Sequence, residues 1–237
     1  MTSIETSIAG LDWQQLTSDM HQKGYAVVPG FLSEAQCNDL IGQYDNPTAY
    51  RKTVVMERYR FGAGEYKYFD YPLPDIIQRI RETLYPKLAP IANEWMQMLN
   101  IDKRFPDDFK NLQAECHASG QLKPTALILK YGKGGFNTLH QDLYGEVYFP
   151  IQSVFVLNSP NVDFEGGEFV LTEQVPRAQS KAIVLKPNKG DMVIFTTNFR
   201  PVKGSRGYYR ANMRHGVSEV QSGQRHAVGI IFHDATS

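Results

Sequence analysis

Residues 124–142 read PTALILKYGKGGFNTLHQD: an apolar run (Thr125–Tyr131), a glycine-rich turn, and a short segment ending in His140-Gln141-Asp142. The apolar run has strand length and composition, and the glycines bring the chain back on itself. In an extended chain, residues two apart project to the same side, so the His140 imidazole and the Asp142 carboxylate can reach one ion. His215 lies in a later run, NMRHGVS, and Arg225 follows it by ten residues. Two imidazoles and a carboxylate are the set that binds Fe(II) on one face and leaves the other face open. Zinc takes the same ligand types. The downstream arginine suits a cosubstrate ending in a carboxylate, because guanidinium pairs with carboxylate through two parallel hydrogen bonds. Singly these signals are weak: His-X-Asp is common by chance, a lone strand histidine is more often structural, and an arginine opening a strand more often meets a surface acid.

Outward from this stretch the chain changes character near residue 120. Downstream lie short β-rich runs separated by Gly/Pro/Asn turns: Ile151–Leu157, Gly167–Thr172, Ala182–Lys186, Asp191–Phe195, Asn212–Val217 and Arg225–Phe232. Close spacing of this kind predicts a sandwich or barrel rather than βαβ units. Upstream, Leu11, Leu16 and Met20 predict a helix, Tyr25–Val28 a short strand, and Ser33 with Gln36 a capping box that opens a second helix. From Pro74 on, Ile77, Ile80, Leu84, Leu88, Ile91, Trp95 and Met98 recur at helical spacing, and Pro86 and Pro90 predict a break near Tyr85. Residues 51–70 read as a strand or hairpin extending one sheet. The expectation is a single α+β domain over residues 1–237. Residues 1–120 are its mainly helical part, and residues 121–237 form a β core with the helical layer packed on one sheet.

The same segments resemble known proteins. Residues 124–142 are similar to the entry of the double-stranded β-helix, or jelly roll, of the Fe(II)/2-oxoglutarate-dependent oxygenases. Tyr131-Gly132-Lys133-Gly134, with His140 nine residues after the tyrosine, is similar to a run in AlkB-type oxidative demethylases. Phe164-Glu165-Gly166-Gly167-Glu168-Phe169 and Pro187–Phe195 resemble turns of prolyl-hydroxylase-like members, and Arg214-His215-Gly216-Val217 followed by Arg225 resembles their second ligand and cosubstrate anchor. From His140 to Asp234 the phrases HQDLYG, GGEFVLTEQ, RHGVS and GIIFHDA resemble one prokaryotic family, labelled as an oxygenase of damaged nucleic acid. Leu129 stands where AlkB-type enzymes place an asparagine, and the ten-residue step to Arg225 is nearer the prolyl-hydroxylase-like branch.

The resemblance implies Fe(II) held by His140, Asp142 and His215, and 2-oxoglutarate anchored through its distal carboxylate by Arg225 with a hydrogen bond from Tyr131. It implies O₂ at the remaining position, with succinate and CO₂ as products beside a hydroxylated or demethylated substrate. Two other readings of these residues are a metal-binding jelly-roll module without catalysis and a nucleic-acid-binding repair accessory. His226 is expected to face away from Arg225, His233 to support the site or the core, and His21 and His117 to be surface or packing residues.

The substrate is open: a small molecule, a peptide or a nucleic acid. Residues 200–214 carry five basic residues and no acid and lead into His215. This loop is expected at the mouth of the site, with Arg206, Tyr208, Arg210 and Arg214 as candidate substrate contacts; a solvated loop is the plainer alternative. The aromatic segment Arg58–Tyr71 is a second candidate wall or lid, with Gly62 and Gly64 giving it mobility. Across the 237 residues, 25 basic and 25 acidic side chains balance, so no global field draws the chain to nucleic acid or a membrane surface. A 42% hydrophobic fraction supports a sizeable core. Cys37 and Cys116 make no disulfide framework, the opening residues lack a signal-peptide pattern and no apolar run reaches membrane-spanning length, so the expected compartment is the cytoplasm.

Overall fold

A computed structural model describes residues 3–237. Helices α1 (Ile4–Ala9) and α2 (Trp13–Lys23) are capped by Ser3 and Asp12 and followed by strand β1 (Tyr25–Val28). Helix α3 (Glu34–Gly42) begins at the Ser33/Gln36 capping box. Strands β2 (Tyr50–Val55), β3 (Gly62–Ala63) and β4 (Glu65–Phe69) come next, then α4 (Asp75–Met98) and α5 (Phe109–Ala118). The remaining strands are β5 (Leu127–Tyr131), β6 (Phe136–His140), β7 (Ile151–Val156), β8 (Phe164–Gly166), β9 (Phe169–Gln174), β10 (Lys181–Leu185), β11 (Met192–Thr196), β12 (Phe199–Gly204), β13 (Gly207–Val217), β14 (Val220–Gly223) and β15 (Arg225–Ile230).

Two antiparallel sheets face each other as a jelly roll. The larger has the order β1-β11-β7-β15-β5-β4-β2, and the smaller β10-β9-β13-β6-β3, with β12 beside β13. Strand β7 shows how the layers are sorted. All its residues are buried, because one face (Ile151, Phe155) packs into the core beneath the helices. The other face turns inward, where Val154 meets Phe169, Phe195 and Met213 between the sheets. No helix among the described residues is long and apolar enough to cross a membrane.

Two expectations need correction. Helix α4 runs unbroken through Pro86 and Pro90. Each proline removes a bond to the carbonyl four residues back, at Glu82 and Pro86. Glu82 is exposed and Pro86 half-exposed, so water can reach those carbonyls, while the opposite stripe (Leu84, Tyr85, Leu88, Ile91, Trp95) is pinned in the core. Residues 200–214 are no loop: β12 and β13 form a hairpin whose partners run from Phe199↔Asn212 to Gly204↔Gly207, closed by Ser205-Arg206. Ala211, Met213 and His215 point inward, and the exposed Tyr208, Arg210, Asn212 and Arg214 alternate with them. The charges that made the stretch look like a loop are the outer half of a strand.

Candidate metal and anion centre

His140 ends β6 and His215 lies directly across from it on β13. That pairing puts the two rings on one side of the small sheet, with centroids 4.2 Å apart. Asp142 follows β6 and is held by its own backbone, whose N–H donates to Thr197 Oγ1 at 2.8 Å. The intervening Gln141 turns away and donates to the carbonyls of Asn198 and Met213, both at 2.8 Å, which fixes the tripeptide against the hairpin. Asp142 Oδ2 lies 3.2 Å from His215 Nε2, and Oδ1 lies 3.5 Å from His140 Nε2. One ligand atom from each residue falls within 4.8 Å of the others. His140 Nδ1 is 2.7 Å from the Thr138 carbonyl, so that nitrogen carries the proton and Nε2 offers its lone pair to the centre.

Both oxygens of the Asp142 carboxylate also accept hydrogen bonds, from the Tyr144 hydroxyl and from Gln152 Nε2, each at 2.8 Å. Burial would raise the Asp142 pKa, but the His140 hydrogen bond and the electrostatic pull of His215 overcome it and hold the carboxyl well below its ordinary range. Burial and then the charge of His140 push His215 down. Burial also opposes protonation of His140, but Asp142 outweighs it and raises the group. Asp142 is therefore held as a carboxylate and His215 is disposed to be neutral, two of the three donors a divalent transition ion would take here.

Arg225 opens β15 opposite Tyr131 of β5. It is 2% exposed, and among the described residues no carboxylate pairs with it and its Nε has no hydrogen-bond partner. Its guanidinium carbon sits 5.7 Å from the Tyr131 ring centroid and 5.9 Å from that of Phe164. The Tyr131 hydroxyl is likewise buried without a partner, and burial pushes it up to about 12 against the pull of Arg225. Room for the arginine comes from Gly167: a Cβ there would meet Arg225 Cδ at 3.0 Å, and its φ of 61° lies where side chains rarely go. Triad, Tyr131 and Arg225 line one cavity of about 250 Å³, closed on the large-sheet side by apolar residues such as Leu129 and Val154.

The sequence reading missed Tyr144 and Gln152. The signal was present for Gln152, a lone amide in a strand otherwise apolar except for Ser153. For Tyr144 it was the spacing of two from Asp142. Phe61, Tyr66 and Tyr68 of the aromatic segment do wall the cavity. Gly62, however, serves close packing: a Cβ there would collide with the Phe136 carbonyl, and one at Gly64 would press on the Tyr131 ring. Neither Arg206, Tyr208, Arg210 nor Arg214 lines this cavity. They lie on the hairpin's outer face or turn, and Arg210 covers the Phe199 ring at 4.9 Å. His226 faces away from Arg225, with Nδ1 3.1 Å from Asn158 Oδ1 and its ring edge-on to Tyr44. His233 accepts from the Phe149 N–H at 3.1 Å, His21 accepts from Trp95 Nε1 at 2.9 Å, and His117 meets Asp234 at 3.2 Å.

A jelly roll with a His/Asp/His cluster and a partnerless buried arginine across one cavity has the fold of solved structures in the 2OG-Fe(II) oxygenase family. Within it, residues 64–235 match the family described as "oxygenase, catalysing oxidative methylation of damaged DNA", and the chain belongs to that family. An uncharacterized protein of Mycobacterium tuberculosis strain H37Rv is 49% identical over 223 residues, covering 94% of this chain and 91% of the relative. Among solved structures, a Pseudomonas putida prolyl-4-hydroxylase is similar in fold (TM-score 0.57, 13% identity, 94% of this chain and 100% of that one). A 2OG-Fe(II) oxygenase family oxidoreductase from Burkholderia pseudomallei is similar to the same degree (TM-score 0.56, 13% identity, 96% and 95%).

Proposed function

We propose that the protein is an Fe(II)- and 2-oxoglutarate-dependent dioxygenase that hydroxylates or oxidatively demethylates an organic substrate, giving succinate and CO₂. The observation that carries this reading is Arg225: a buried cation with no carboxylate of its own, facing the cavity that holds the triad. An uncompensated buried charge is costly, and a site that keeps one is built for an anion from outside. A metal module without catalysis has no use for this second element.

In this reading His140, Asp142 and His215 hold the iron, and Arg225 and Tyr131 hold the far carboxylate of 2-oxoglutarate. Bound together, the metal and cosubstrate supply the oxidising chemistry. The chain's own part is orientation and exclusion of water. Thr138 fixes the tautomer of His140, Tyr144 and Gln152 keep Asp142 ionised and aimed, and the apolar wall around Leu129 and Val154 keeps the cosubstrate dry.

The test is succinate formation and O₂ uptake with Fe(II) and 2-oxoglutarate, in the wild type and in His140→Ala and Asp142→Ala. Turnover that needs Fe(II) and disappears in both variants is expected. Iron binding without any anaerobic charge-transfer band on adding 2-oxoglutarate, and without succinate, would overturn the reading.

A further inference from the structure

The cavity that holds the triad continues outward. Phe61, Tyr66, Tyr68 and Tyr144 are shared with a second cavity of about 390 Å³, whose further lining includes Leu143, Arg51, Lys52 and residues 235–237, with no acidic side chain among the described residues. Two of its rings are open to receive a partner. Tyr59 and Phe61 stack nearly parallel at its rim, 5.5 Å apart and 18° between planes, yet stay 55% and 45% exposed. Tyr66 and Tyr68 stand edge to face at 5.3 Å. Exposed aromatic surface gathered in one concavity marks a place for an apolar or planar body.

Arg51 adds the second half of the chemistry. Its Nε donates to the Pro124 carbonyl at 2.9 Å, and its guanidinium carbon lies 4.6 Å from the centroid of the Tyr68 ring. Its Nη2 is buried with no hydrogen-bond partner, and among the described residues no carboxylate pairs with it. The group is thus fixed at one end and unsatisfied at the other. It is also near the chemistry: Tyr68 donates to the Tyr144 hydroxyl at 3.4 Å, and Tyr144 donates to Asp142 at 2.8 Å. One pair of tyrosines separates the Arg51 cation from the metal-binding carboxylate.

Resting on the oxygenase reading above, we propose that this outer cavity is the primary-substrate site and that the substrate is a small organic anion carrying a planar aromatic ring. The ring packs on the tyrosines and Phe61, the anionic group pairs with Arg51 and Lys52, and the bond to be oxidised points inward to the triad. A nucleic-acid strand is a poorer match. Two cations offer few phosphate contacts, the chain has no net charge, and the hairpin's basic residues Arg206, Arg210 and Arg214, like Tyr208, line neither cavity.

Three probes share one ring and differ in charge: indole-3-acetate, indole-3-acetamide and tryptamine. Each is titrated calorimetrically into the full chain loaded with Mn(II) and 2-oxoglutarate, beside a single-stranded oligonucleotide. The acid is expected to bind at least about tenfold tighter than the amide, the size of one charge-assisted hydrogen bond, and the amine weakest. Arg51→Met should remove the acid's advantage, while Phe61→Ala, at an exposed position, should weaken acid and amide alike. Should Arg51→Met fail to fold, Lys52→Met and Phe61→Ala carry the same two comparisons. Equal binding of acid and amide, no binding of either, or an oligonucleotide that binds tighter than the acid overturns the proposal. Absence of an Fe(II)·2-oxoglutarate charge-transfer band in the wild type sinks the oxygenase reading instead, so the two failures are told apart.

Discussion

Arg81 and Arg225 are equally hidden from water, at 0% and 2% exposure, and the fold treats them in opposite ways. Arg81, on α4, meets Asp234 at 2.8 Å, the Phe232 carbonyl at 2.8 Å and the Tyr71 hydroxyl at 3.0 Å. Burial opposes its charge, but Asp234 and Tyr71 overcome that and raise its pKa. At Arg225 burial is opposed only by the electrostatic pull of Tyr131, and the pKa falls. The first arginine is a bolt between the helical layer and the end of the chain. The second is half of an interaction whose other half must come from outside. Burial alone does not separate structure from function here; the presence or absence of a partner does.

The contrast can be broken at either end. Asp234→Asn or Arg81→Met strands a buried charge or its partners and should cost about 3–5 kcal/mol of unfolding free energy, read by urea denaturation. Arg225→Met leaves no such orphan. It should keep or slightly raise stability in the same experiment while weakening 2-oxoglutarate by roughly a hundredfold, two charge-assisted hydrogen bonds' worth. A large stability loss in Arg225→Met would falsify the distinction.

Gln152→Leu sharpens the comparison at the metal side. It removes one donor to Asp142 but no ligand, so metal affinity should fall about 10–100-fold with the fold intact, measured by competition with a chelating dye. The smallest effect at neutral pH belongs to His226, the buried base beside Arg225 on the opposite face. Burial, then the charge of Lys130, lowers it to about 4, below its ordinary value near 6.5. The folded state disfavours its protonated form, so the stability it contributes is complete above about pH 6.5 and declines as pH falls toward 4. The slope for one proton is at most about 1.4 kcal/mol per pH unit. His226→Gln should flatten the stability profile in that window and leave it unchanged at pH 8.

What was legible in the chain was whatever its local spacing encodes. His140 and Asp142 share a face because they are two apart. The strand runs announce themselves by composition, the Ser33/Gln36 cap by its offset, and Arg225 by its distance from His215. Features set by distant segments were not legible. Pro86 and Pro90 fail to break α4 because a core assembled from elsewhere holds the other face of that helix. The 200–214 stretch looked like a loop because its outward charges masked an inward alternation of Ala211, Met213 and His215. The purpose of Gly167 emerges only when Arg225, far along the chain, needs the space where a Cβ would be. The signals at Tyr144 and Gln152 gained meaning only when the fold brought their hydroxyl and amide onto the Asp142 carboxylate.

Strand β1 carries a further consequence. Tyr25–Val28 pairs with Met192–Phe195, and nearby the Gly30 and Leu32 amides donate to Asp191 and Gly190. During synthesis this segment leaves the ribosome long before its partner exists, so the large sheet closes late and the early strand must wait unpaired. A fragment starting at residue 64, where the family match begins, would omit that strand together with α1, α2, α3, β2 and β3. It would bare the edges of β11 and β4 at the two ends of the large sheet and part of the apolar bed beneath the helices, surfaces that recruit other copies of the chain. Such a fragment should be recovered as aggregate, although every residue of the metal and anion centre would still be in it.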